Sequence, residues 1–186
     1  LALFFPCEKK EEVAVSAESH QQTVTVALAY KPKSFDPSKH TDSATMAVTK
    51  QIYSNLFSLG EKGDILPELA ESYKIISDTV LEIRLKKGIL FHDGTEMKAE
   101  DVIASLQRNL DSPVSHVLIS PIQAMKKIDD YQMEITSNAS PSILLHNFTH
   151  GAIAITKEVP MNEDQVNLVG TGPFRVKRWG NGEKVE

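Results

Sequence analysis

Across residues 79–110 the hydrophobic spacing of the chain changes from that of a strand to that of a helix, with a turn between them. Leu81, Ile83 and Leu85 alternate with Glu82, Arg84 and Lys86, which predicts a strand with one buried and one wet face. Ala99, Val102, Ile103, Leu106 and Leu110 then fall on one stripe at helical spacing. Asp93-Gly94, inside Phe91-His92-Asp93-Gly94, predicts the tight turn. A half-buried strand followed closely by an amphipathic helix points to a mixed α/β chain.

The rest of the sequence extends that pattern. Residues 23–29 read as a strand with Val24, Val26 and Leu28 on one face and small residues on the other. Two prolines make 31–37 a loop. Residues 42–57 read as a helix, with Val48, Ile52 and Leu56 in one row and Thr49, Tyr53 and Phe57 in the next. Segments 73–76 and 79–86 are expected to pair around Ser77-Asp78, and 122–128 and 131–136 across Asp129-Asp130. Ser140 is placed to cap a short helix with Pro141 at its first position and Ile143, Leu144 and Leu145 buried. Residues 152–156 read as a last short strand before Gly170-Thr171-Gly172-Pro173. Residues 174–179 alternate like a strand, and Gly180-Asn181-Gly182 supplies a hairpin turn. The returning arm, 183–186, is so short that the chain reads as a piece of something longer.

Composition narrows the function. Twenty basic against twenty-five acidic residues in 186 give a net charge of −5, the wrong sign for gripping nucleic-acid phosphates. A 41% hydrophobic content is that of an ordinary globular chain. The single cysteine excludes an internal disulfide framework and a cysteine-based zinc site. The longest apolar runs are about five residues, against the ~20 that a membrane-spanning helix needs. The opening Leu1-Ala2-Leu3-Phe4-Phe5-Pro6-Cys7 resembles the end of an export signal, which makes Cys7 a candidate lipid anchor. Pro6 stands where such signals carry a small residue, and the rival reading is a frayed terminus with an incidental buried Cys. The mixed charges that follow, up to residue 22, suit a solvated tether.

Each candidate for chemistry has a bland rival. His92-Asp93 suggests acid–base work, but a general base needs a positioned nucleophile, and Asp-Gly in a turn serves the backbone. His146 and His150, four apart, would share a helical face as metal ligands, yet the turn contains no Asp or Glu, and the rival is solvated histidines. Gly170-Thr171-Gly172-Pro173 lacks the Lys and spacing of a phosphate loop. Lys86-Lys87 and Lys126-Lys127 are pairs on solvent faces. Composition and spacing identify no catalytic constellation.

A series of short motifs carries a resemblance. Ser34-Phe35-Asp36-Pro37 is followed by Ile52-Tyr53-Ser54-Asn55-Leu56, then by Leu66-Pro67-Glu68-Leu69-Ala70-Glu71-Ser72. Leu81-Glu82-Ile83-Arg84-Leu85-Lys86-Lys87-Gly88, Phe91-His92-Asp93-Gly94 and Ala99-Glu100-Asp101-Val102 come next, and Gly170-Thr171-Gly172-Pro173-Phe174 with Trp179 closes the series. In this order they resemble the family 5 extracellular solute-binding proteins, the oligopeptide, dipeptide and nickel receptors of ABC importers. Lys98 departs from the Ser or Thr common there before the helix, at a cost of about 1 kcal/mol for the missing cap.

The resemblance implies a periplasmic-binding-protein-like type II fold, α/β and two-lobed, of which this chain holds part of lobe one and an extra subdomain. Residues 1–22 would be signal remnant and tether, 23–36 a first-lobe strand, 37–167 the family-specific subdomain, and 168–186 the return to the first lobe. It implies capture without catalysis: a substrate-binding protein taking up peptides outside the cytoplasm, in the periplasm or at the cell surface, and delivering them to the permease without a cofactor. Lys31, Pro32 and Lys33, in the loop after the first strand, are the residues expected to reach the solute; the rival is that they only turn the chain. Nickel chelate or haem as ligand, and a truncated surface module with no transport role, stay open as alternatives.

Overall fold

Asp36 opens a 3₁₀ turn, Pro37–Lys39, and Asp42 caps helix α1 (Ser43–Ile52), its carboxylate accepting from the Thr45 N–H at 2.9 Å. The computed structural model of the chain describes residues 25–28, 30–162, 165–180 and 184–185. After α1 come a small hairpin, β1 (Phe57–Leu59) with β2 (Ile65–Pro67), and a longer one, β3 (Ala70–Ser77) with β4 (Val80–Leu85). Helices α2 (Ala99–Asp111) and α3 (His116–Ile119) lead to the hairpin of β5 (Ile122–Asp129) and β6 (Gln132–Ser137). Helix α4 (Pro141–Asn147) and a 3₁₀ turn, Gly151–Ile153, precede β7 (Lys157–Asn162) and β8 (Gln165–Val169), which pair with each other. Short strands β9 (Trp179–Gly180) and β10 (Lys184–Val185) close the series.

The two longer hairpins join through β4 and β6 into an antiparallel sheet in the order β3-β4-β6-β5. The predicted alternation holds on β4, where Leu81, Ile83 and Leu85 are buried, and Met133 and Ile135 continue the apolar face on β6. Val102 and Leu106 of α2 and Leu144 of α4 belong to the same core. The opposite face is a charge ladder: Lys74 lies opposite Glu82 and Lys126 opposite Glu134. Across β4 and β6 one face is thus dry and the other wetter, as an antiparallel sheet allows, while Tyr73 and Ile75 on edge strand β3 stay exposed.

At the start of α2 the absent Ser/Thr cap is partly replaced. Asp101 Oδ2 accepts from the Lys98 N–H at 2.8 Å, while the Lys98 ammonium pairs with Asp130 at 2.8 Å.

Several expectations are corrected. The helix expected over 42–57 stops at Ile52. Leu56 and Phe57 are still buried, but in a turn and in β1. The cause is competition from distant partners: Gly172 N–H donates to the Ile52 carbonyl at 2.9 Å and Phe174 N–H to that of Gln51 at 3.0 Å. Asn55 Nδ2 meanwhile donates to the carbonyls of Phe148 and His150, at 3.1 and 2.8 Å.

The expected strand over 152–156 is instead the Gly151–Ile153 turn and a loop, although Ala152, Ile153, Ala154, Ile155 and Thr156 are all buried. A short apolar run reports burial without specifying geometry. Ile143 is 52% exposed rather than buried, and Ser140 makes no side-chain cap. Of the strand expected over 23–29, residues 25–28 have no regular structure and are exposed; no described strand offers them a ladder. Of the strand expected over 174–179, only Trp179 is in a strand, and Phe174 gives its N–H to the Gln51 carbonyl instead of to a ladder.

Candidate functional site

The segment expected to reach a solute lies against α1 and α2. Lys31 and Lys33 are exposed and Pro32 is buried between them. Lys33 N–H donates to Thr45 Oγ1 on α1 at 3.1 Å. Three residues on, the Asp36 carboxylate is buried and accepts from Ser38 N–H at 3.0 Å and Ser38 Oγ at 2.7 Å. It also receives the guanidinium of Arg108 from α2. Arg108 Nε donates to Glu158 on β7 at 2.7 Å and its Nη1 to Ser38 Oγ at 3.4 Å. Ser112 Oγ, at the end of α2, donates to the Ser38 carbonyl at 2.7 Å. Burial pushes the Asp36 carboxyl up, but bonds from Arg108 and Ser38 outweigh it and hold it below its ordinary value.

The Phe91–Gly94 turn serves the backbone. Gly94 has φ of 84°, which favours glycine. His92 Nε2 lies 2.9 Å from the Gly172 carbonyl, which assigns the proton to Nε2, and His92 N–H donates to the Gly170 carbonyl at 2.9 Å. The Asp93 carboxylate accepts from Thr95 N–H at 2.9 Å and pairs with Lys157 at 3.2 Å. The bond from the Thr95 hydroxyl is the leading cause that holds Asp93 below its ordinary value, against a desolvation that raises it. His92 and Asp93 therefore face different partners.

Two amides of the glycine loop, those of Gly172 and Phe174, are committed to the C-terminus of α1, which fits a capping loop better than a phosphate cradle. Helix α4 ends at Asn147, so His146 and His150 do not share a helical face. His150 Nδ1 accepts from Ala152 N–H at 3.2 Å. Burial, then the nearby Lys50 charge, lowers the His150 pKa. Among the described residues no group of three or more His, Cys, Asp or Glu is arranged to hold a metal ion.

The hydrogen bonds seen at the rings of His92, His116 and His150 all go to backbone groups. An open hollow of about 530 Å³ is lined by Glu71, Arg84, Lys86, Lys87 and Ile89, and includes none of the 31–33 segment. Cys7 lies outside the described residues. Sequence reasoning missed Arg108 and Glu158; an arginine on a helix flank looks solvated until its distant acidic partners are known.

Residues 64–186 match the family described as bacterial extracellular solute-binding proteins, family 5 Middle. The chain is 30% identical over 172 residues to the glutathione-binding protein GsiB of Escherichia coli strain K12, a match covering 88% of this chain and 33% of that protein. Its fold is similar to NikA of Staphylococcus aureus in complex with Ni(L-His)2, with a TM-score of 0.73, 27% identity and 85% of this chain covered against 33% of that one. It is also similar to DppA of Helicobacter pylori in complex with the peptide STSA, with a TM-score of 0.69, 27% identity and 83% covered against 36%. The chain thus spans about a third of the length of its relatives and has the α/β fold of the corresponding part of a type II periplasmic binding protein. By the match over 64–186 and the shared fold, this chain belongs to the family 5 bacterial extracellular solute-binding proteins.

Proposed function

We propose that the protein captures short peptides outside the cytoplasm and delivers them to the permease of an ABC importer. The observation that carries this reading is the family match over 64–186, supported by the likeness to the peptide complex of DppA. In this reading residues 23–36 and 168–186 belong to the first lobe and 37–167 to the family's extra subdomain. A second lobe closes on the solute by hinge rotation, and the closed form is the one that the permease accepts. Lys31 and Lys33, exposed on either side of the buried Pro32, meet the solute from the first lobe, where an extended peptide pairs through its main chain while wet pockets take its varied side chains. Cys7 carries a lipid that keeps the receptor at the membrane.

Native mass spectrometry of the natural gene product, purified from its own host without denaturation, tests this. The expected result is a spread of co-purified short peptides. A single adduct with the mass of a nickel chelate or of haem overturns the peptide assignment and keeps the importer. Absence of any adduct counts against capture itself.

A further inference from the structure

The 31–40 segment contains no strand to pair with the sheets, so its pose depends on point contacts. Thr45 holds the Lys33 amide, Ser112 holds the Ser38 carbonyl, and Arg108 holds both the Asp36 carboxylate and the Ser38 hydroxyl. Arg108 is the contact that spans three elements: from α2 it meets the 3₁₀ turn on one side and Glu158 of β7 on the other. Its side chain is 21% exposed and that of Asp36 only 9%, so this pair is shielded in a way that surface pairs are not. Lys39 also approaches Asp36, at 3.4 Å, but with 66% of its side chain exposed it is a weak substitute.

We infer that Arg108 is a positioning residue for solute capture, setting from α2 the pose of the segment through which Lys31 and Lys33 meet the solute. This rests on the proposed role of that loop. Removing the guanidinium leaves a buried carboxylate without its main partner, and the turn that carries it is then expected to open. The sheet, which shares none of these bonds, should keep its stability. Arginine suits the position because its planar fork serves carboxylates in two directions, whereas a lysine ammonium has no such fork.

Hydrogen exchange and native mass spectrometry on the natural gene product test the assignment together. In Arg108→Ala the amides of Ser38, Lys39 and His40 should exchange about tenfold faster, the scale of a lost charged hydrogen bond, while those of β4 and β6 stay as in the parent. The co-purified adduct should fall by a similar factor. Arg108→Lys, which keeps the charge but not the fork, should lie between the two and serves if the alanine variant fails to fold.

Unchanged exchange at 38–40 overturns the inference, and so does faster exchange with undiminished adduct. The double variant Lys31→Ala/Lys33→Ala tests the loop separately. If it retains the parent's adduct, the loop reading fails and takes the role of Arg108 in capture with it. If it loses adduct while Arg108→Ala does not, only the inference about Arg108 fails.

Discussion

His92 Nε2 donates to the Gly172 carbonyl 2.9 Å away, joining a turn beside the central sheet to a loop eighty positions further along the chain. This bond and the one from His92 N–H to the Gly170 carbonyl tie the glycine loop to the turn, while the Gly172 and Phe174 amides tie it to the end of α1. Replacing His92 by Ala is expected to lower stability by about 1 kcal/mol, the usual contribution of one hydrogen bond. Thermal denaturation checks it. A variant that lost an enzymatic activity with an unchanged melting temperature would argue for chemistry at His92 instead.

The glycines differ sharply in what a side chain would meet. A Cβ at Gly172 would stand 2.6 Å from the Ile52 carbonyl carbon, and one at Gly170 would be 2.2 Å from the Ile52 oxygen. These neighbours are backbone and cannot swing aside, so Gly172→Ala is expected to cost about 1–3 kcal/mol by overpacking. At Gly60 the nearest atoms belong to the Asp64 side chain, which can rotate away. Gly60→Ala should therefore cost clearly less. Urea midpoints of the two variants decide it, and equal losses would contradict the packing argument.

Acid should weaken the junction between Asp36 and Arg108. The folded Asp36 carboxyl lies below its ordinary value of 3.8 because the bonds from Arg108 and Ser38 outweigh the effect of burial. A lowered folded value means stability that is fully present above the unfolded value and is lost as pH falls through the folded one. Asp36→Asn should thus flatten the acid limb of a stability–pH curve below about pH 4, the ordinary aspartate range. An acid limb identical to the parent's would remove Asp36 as its source.

His150 titrates under the opposite pressure to a paired histidine. Burial, then Lys50, favours its neutral form, and its Nδ1 accepts from Ala152 N–H. The folded pKa therefore lies below the ordinary 6.5, and the stability this represents fades as pH falls from there through the folded value. In an NMR titration Lys50→Met should move the His150 pKa upward while leaving it below the ordinary value, since burial remains. No movement on that substitution would show that Lys50 is not felt at the ring.

Much of the fold could be read locally. The alternation of Leu81, Ile83 and Leu85, the stripe from Ala99 to Leu110 and the Asp93-Gly94 turn all appear where the spacing puts them. The motif Ser34-Phe35-Asp36-Pro37 could be recognised as a family feature, but its reason was not visible. Asp36 caps its own turn, a local matter, while its charge is answered by Arg108, seventy-two residues away.

The sequence by itself determined the sheet hairpins, helix α2 and the family, because strand alternation, the helical stripe and turn chemistry act between neighbours along the chain. Tertiary structure decided where α1 ends, why 152–156 is buried without being a strand, and how the 31–40 segment is held. In each of these places a backbone or charged group finds its partner on a distant segment. Satisfying it there outweighs the local preference, since a buried polar group left unpaired costs more than a helix gains by one further turn.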